Sequence, residues 1–247
     1  PSFWDKRAKH FKPRETHPYA RDFLKLADIH HGESVLDMGC GGGSLAIPLA
    51  RQGCSVLACD FSKPMLDVVR EGAQHFQVDQ LVDTKLLAWD EDWDEAGMRP
   101  KSVDVALASR SIATADLESS LVKLDSTARR RCITLVANAS PRYDEHVMNA
   151  IGASVTRSHD FVYAFNILIG MGRLPEVSYI HSPRRDTFDS LDEGVADFAR
   201  MLEGGNEDKL DELRSYIAAH MIENPQAGQP GSKGKPQGRY TLDHVRM

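Results

Sequence analysis

The stretch Ser34–Ala50, SVLDMGCGGGSLAIPLA, restricts the fold of this chain more than any other. Val35 and Leu36 form a short apolar run that reads as a buried strand and ends in the acid Asp37. Gly39, Gly41, Gly42 and Gly43 follow, and Leu45, Ala46, Leu49 and Ala50 then take helical spacing. Strand, glycine turn and helix is the order by which α/β folds bring backbone N–H groups and a helix N-terminus up to a ligand. Glycine supplies positive φ and lets the ligand approach the main chain without meeting a Cβ. A turn that only joined a strand to a helix would not need so dense a cluster.

The same alternation continues downstream. Ser55–Cys59, Thr84–Ala88, Val103–Ala108 and Cys132–Ala137 read as further buried strands. Between them, Ser62 caps a helix with Pro64 near its start, and Leu117, Leu121, Leu124 and Ala128 share one helical face. Near-continuous apolar strands separated by helices describe an α/β fold with a doubly wound, mostly parallel sheet, whose ligands lie beyond the carboxyl ends of the strands. An earlier helix is expected over His17–Ala27. Later helices are expected over Tyr143–Ile151 and Val155–Met171, after a capping box of Ser190 with Glu193, and along the stripe Leu210, Leu213, Ile217 and Met221. Val177–Ile180 reads as a short strand, 224–238 as a flexible Pro/Gly loop, and 239–247 as a returning edge strand.

Two ligand classes use a glycine turn of this kind. A dinucleotide fingerprint is G-x-G-x-x-G with the pyrophosphate on the helix N-terminus. Here Ser44 stands in place of the third glycine, and a carboxylate at Asp37 is a poor neighbour for a pyrophosphate but a good one for an ammonium group. The run D-x-G-x-G-x-G, as Asp37, Gly39, Gly41 and Gly43, resembles motif I of class I S-adenosylmethionine-dependent methyltransferases. The resemblance covers about residues 19–137 and names no subfamily. It implies a seven-stranded sheet whose last strand is antiparallel, with extra helices after the fifth strand, and S-adenosylmethionine as cofactor. Gly39, Cys40, Gly41 and Gly43 would then contact the cofactor. Asp60, which ends the second strand seventeen residues beyond Gly43, would accept the ribose hydroxyls, with Phe61 beside it. Asp90 would face the adenine amino group, a role for which Glu91 and Asp92 compete, with Trp89 or Trp93 covering the ring.

Ser109-Arg110-Ser111 follows the fourth strand, which in this family faces the methionine end of the cofactor and the acceptor. It departs from the N-P-P-Y motif of enzymes that methylate exocyclic amino groups on bases or glutamine. Ser109 is expected at the cofactor, and the guanidinium of Arg110 suits a substrate carboxylate or phosphate. On the amphipathic segment His159–Met171, His159 is a candidate general base and Tyr163 a candidate acceptor-pocket residue. Methyl transfer from a sulfonium needs positioning and water exclusion more than a catalytic triad, so the lack of one is expected.

Composition narrows the partners. Thirty basic residues against 36 acidic give a net charge of −6, which disfavours the basic face that nucleic-acid phosphates require. The cluster Arg129-Arg130-Arg131 is expected at a helix C-terminus, where cations complement the macrodipole. No apolar run approaches the roughly 20 residues that span a bilayer. The four cysteines contain no C-x-x-C pair and the histidines no H-E-x-x-H, so no metal site is signalled. The expectation is a single domain over 17–247 preceded by an arm or lid at 1–16, with a helical insertion at about 141–175. It is expected to be a cytoplasmic monomer or homodimer that methylates a small molecule. RNA or protein methylation, a nicotinamide-dependent oxidoreductase and a non-catalytic cofactor-binding protein are the alternatives.

Overall fold

In the computed structural model the described residues are 2–9, 18–135, 144–154, 160–178, 180, 182–203, 205–230 and 236–246. Contacts divide the chain into two compact units. The first is Pro1–Ala137 with Asp160–Ser178, and the second is Asn138–His159 with Tyr179–Met247.

The first unit holds helices α1 (Ser2–Ala8), α2 (Pro18–Ala27), α3 (Ala46–Arg51), α4 (Lys63–His75) and α5 (Leu117–Thr127). Its strands are β1 (Ser34–Met38), β2 (Ser55–Asp60), β3 (Val82–Leu86), β4 (Val103–Ser109) and β5 (Ala128–Leu135), and all neighbouring pairs run parallel in the order β3-β2-β1-β4-β5. The order reverses between β1 and β4, so the crevice of this sheet opens at their carboxyl ends. Val35, Leu36, Val105, Ala106 and Leu107 are wholly buried, as continuous apolar runs in a doubly covered sheet must be. Each large aliphatic side chain so buried stabilises the fold by about 1.5–3 kcal/mol.

Two expectations at the sheet's margins need correction. β3 runs Val82–Leu86, two residues ahead of the expected Thr84–Ala88. It pairs only with β2 and is half exposed, so its own sequence carries few apolar residues. The second concerns Arg129-Arg130-Arg131, which belong to β5 and not to a helix end. Helix α5 stops at Thr127, and the Arg129 side chain reaches the carbonyls of Lys101 and Ser102 and the carboxylate of Asp104.

The second unit contains α6 (Glu145–Ala150), β6 (Ser182–Phe188), α8 (Leu191–Ala199), α9 (Leu210–His220), β7 (Ile222–Glu223) and β8 (Tyr240–Arg246), while α7 (Asp160–Gly170) returns to the first unit. Val147, Met148, Phe188, Val195, Phe198, Leu213, Ile217 and Leu242 form its core. The doubly wound parallel fold is as expected, but the sheet is not seven-stranded among the described residues. Five parallel strands stand beside a separate antiparallel sheet of order β6-β8-β7. β8 is therefore the centre of a sheet and not an edge. β6 escaped the sequence reading because SPRRDTF carries no apolar alternation, and Val177–Ile180 forms no strand among its described residues. The arm at 1–16 contains α1, which packs on α4, and within 224–238 an isolated bridge joins Pro230 and Pro236.

Candidate cofactor and acceptor site

The turn after β1 is fixed by its own main chain. The N–H groups of Gly39 and Cys40 both donate to the carbonyl of Cys59 at the end of β2, at 2.8 and 3.0 Å. Gly43 N donates to Cys40 O, and Ile47 N to Gly43 O. Gly39, at φ +72°, lies so close to the loop after β4 that a Cβ there would fall 2.3 Å from that of Ser111. Gly41, at φ +52°, has nothing within 4 Å of where its Cβ would stand. The one glycine is thus required by packing, and the other leaves its backbone open to a ligand.

Two buried acids flank the turn. Asp60 accepts from Gly41 N through Oδ2 and from Ser62 N through Oδ1, both at 2.9 Å. Burial leaves its pKa raised, and these N–H groups offset part of that rise. Asp37 is 2% exposed. The N–H of Ala46, at the start of α3, donates to its carboxylate. Its Oδ2 is the single buried side-chain polar atom among the described residues with no hydrogen-bond partner. Burial first, and then the charge of Asp60, push its pKa up to about 7. An unsatisfied buried carboxylate is costly, and a cationic ligand group placed beside it would relieve that cost. Together with the open backbone at Gly41 and the strand-end acid Asp60, this donor set fits S-adenosylmethionine, whose amino group is cationic and whose ribose offers hydroxyl donors.

The carboxyl ends of β3 and β4 supply the other wall. Trp89 is partly buried and its indole N–H donates to Ser111 O at 2.9 Å. Trp93 is buried, bonded to Ala88 O and stacked on Trp89 with ring centroids 5.5 Å apart. Of the two tryptophans, Trp89 is therefore the one with a face left for a ligand. Asp90 is exposed beside it. Ser111 Oγ donates to Met38 O at 2.6 Å, which ties the loop after β4 to the end of β1. Ser109 shares a short hydrogen bond with the hydroxyl of Tyr19, from α2. Arg110 lies 5.5 Å from the Tyr19 ring centroid. It is exposed, sits in the left-handed region at φ +58°, and pairs with no carboxylate among the described residues. Non-glycine residues held in that region gather at functional sites.

The structure thus brings Asp37, Gly39, Cys40, Gly41, Gly43, Asp60, Trp89, Ser109 and Arg110 around one end of the sheet. Cys40 is buried there, its thiol pushed well above the usual range by burial, so it packs and does not react. Phe61 projects from the end of β2, 41% exposed. Tyr163 is 63% exposed on α7, no described contact links it to this end of the sheet, and His159 lies outside the described residues. Tyr19 was missed in the sequence because its position on α2 fits an apolar helical face. Its partner is ninety residues away.

A family profile described as "Methyltransferase domain" matches residues 35–130. An uncharacterized protein of Haemophilus influenzae is 32% identical over 185 residues, which are 74% of this chain and 67% of that protein. A ubiquinone biosynthesis O-methyltransferase of Chromobacterium violaceum is 41% identical over 69 residues, covering 28% of this chain and only 29% of the relative. Among solved structures, the YcgJ protein of Bacillus subtilis covers 93% of this chain and 96% of its own, at a TM-score of 0.52 and 16% identity. A precorrin-6y C5,15-methyltransferase of Geobacter metallireducens covers 70% and 83%, at a TM-score of 0.52 and 14% identity. At those identities the two structures speak for the fold alone.

Proposed function

Because the chain belongs to the class I S-adenosylmethionine-dependent methyltransferases, we propose that it transfers a methyl group to a small-molecule acceptor by in-line displacement. The sulfonium of the cofactor supplies an activated methyl group. The protein's part is to bind, orient and exclude water. The observation that carries the reading is the pair of buried acids around an open glycine turn, with one carboxylate oxygen of Asp37 unsatisfied.

In this reading Asp37 meets the cofactor's amino group, and Asp60 exchanges its Gly41 N–H bond for the ribose hydroxyls. Gly39, Cys40, Gly41 and Gly43 present backbone, Trp89 and Phe61 border the adenosine, and Asp90 faces the adenine amino group. Ser109 stands at the methionine end. Arg110 points the acceptor choice toward small molecules carrying a carboxylate or phosphate, because its fork of donors suits those groups and its guanidinium pairs with no carboxylate among the described residues. The acidic net charge of −6 supports a small acceptor over a polyanion. No helix among the described residues is long and apolar enough to cross a membrane.

Calorimetric titration with S-adenosylhomocysteine, with NAD as control, tests the proposal. Micromolar binding of the first alone is expected, weakened at least about tenfold in Asp60→Ala, since that change removes an acceptor of charge-assisted hydrogen bonds. Binding of NAD in its place would return the oxidoreductase reading.

A further inference from the structure

Lys123 is an α5 residue far in sequence from any motif, yet its side chain crosses to the loop after β3. Its Nζ donates to the carbonyl oxygens of Trp89 at 2.7 Å and Glu91 at 3.0 Å. The same ammonium stands 5.8 Å from the Trp93 ring centroid. The two carbonyls bracket Asp90, so one cation holds the backbone on both sides of that residue. The rest of the loop is fixed in the same manner. Trp89 is bonded to Ser111 O, Trp93 to Ala88 O, and Asp92 accepts from the N–H groups of Asp94 and Glu95. Asp90 is left as a side chain facing outward on a clamped main chain.

A lysine directed at two carbonyls gives up the salt bridges that Asp90, Glu91, Asp92 and Asp94 offer within the same cleft. Bonds from an ammonium to main-chain oxygens are charge-assisted and fix a backbone where an ion pair would fix only side chains. We propose that Lys123 is a positioning residue for adenine recognition: by bracketing Asp90 it sets the carboxylate that distinguishes adenine from a 6-oxo purine. The inference rests on the cofactor reading above, in which Asp90 faces the exocyclic amino group. It adds a determinant that motif I does not contain.

The test compares two ligands that differ at one group, S-adenosylhomocysteine and S-inosylhomocysteine, titrated calorimetrically into the full chain. Wild type is expected to favour the adenosyl ligand clearly. In Lys123→Met, affinity for it falls about tenfold, the scale of a lost hydrogen bond to a charged group. Affinity for the inosyl ligand falls much less, so the preference between them collapses. Lys123→Arg, which keeps a cation of similar reach, restores part of the preference. In an Asp90→Asn background, adding Lys123→Met changes the preference no further. Should Lys123→Met melt before measurement, Lys123→Gln gives the same comparison with a shorter, neutral donor. Equal weakening of both ligands, or an unchanged preference, overturns the positioning role and leaves Lys123 a structural residue. A wild type that binds neither ligand is a separate result, because it removes the cofactor reading itself.

Discussion

Asp37 concentrates the electrostatic cost of this site in one side chain. Its pKa lies at about 7 against an ordinary value of 3.8, because burial and the neighbouring Asp60 both oppose ionisation. The folded protein without ligand therefore holds this proton more tightly than the unfolded chain does. Between about pH 4 and pH 7 the fold loses about 1.4 kcal/mol per pH unit from this group as pH rises, and above that window the full loss persists. Asp37→Asn removes the ionisation, so melting at pH 8 is expected to rise relative to wild type while the difference at pH 4 narrows. The same change should weaken S-adenosylhomocysteine. A variant that melts no higher at pH 8 would contradict the buried-charge account. Gly39→Ala makes the opposite trade, since a Cβ at φ +72° meets Ser111 at 2.3 Å. A loss of more than about 2 kcal/mol is expected in denaturant unfolding, from strain and overpacking together. Asp37, Asp60 and the glycines were legible in the sequence because strand, acid and glycine stand side by side in it. Tyr19 and Lys123 were not, because each acts on a partner brought near only by folding.

At the scale of elements, the cap at Ser190 was readable and edge strands were not. Ser62 stands at the start of α4 as expected, but its hydroxyl donates to Asp5 at 2.6 Å and makes no cap bond to the helix. Ser190 accepts from Glu193 N at 3.2 Å, and Glu193 returns a bond to the N–H of Asp189 at 2.8 Å, one residue before the partner a standard capping box would use. Ser190→Ala should therefore cost about 1 kcal/mol, read as an earlier unfolding midpoint with little change in cofactor affinity. Strands β1, β2 and β4 announced themselves as apolar runs because both faces are covered. β3 and β6 did not, since a half-exposed strand and a polar one carry no such pattern and are set by pairing with β2 and β8. The arginines at the start of β5 show the same limit. Charge alone suggested a helix end, and the register with β4 placed them in the sheet.

Over the whole molecule, chain order and spatial order disagree. The backbone leaves the first unit after residue 137, returns for residues 160–178, and leaves again. The returning segment is structural: Ala164, Ile167, Leu168 and Met171 of α7 and its end pack into the core that contains Leu121 and Leu124. A fragment ending at residue 137 keeps every glycine of the turn but loses that cover. It is expected to bind a hydrophobic dye and to aggregate under conditions where the full chain is expected to do neither. The family profile ends at residue 130, before this return, so likeness alone would place the boundary too early. The interleaving also bears on heredity. A single genetic crossover cannot replace one unit and leave the other whole, because any one breakpoint between residues 138 and 178 divides the coding sequence of at least one of them. Exchange of either unit between lineages needs paired breakpoints, and divergence by residue substitution is the simpler course open to this chain.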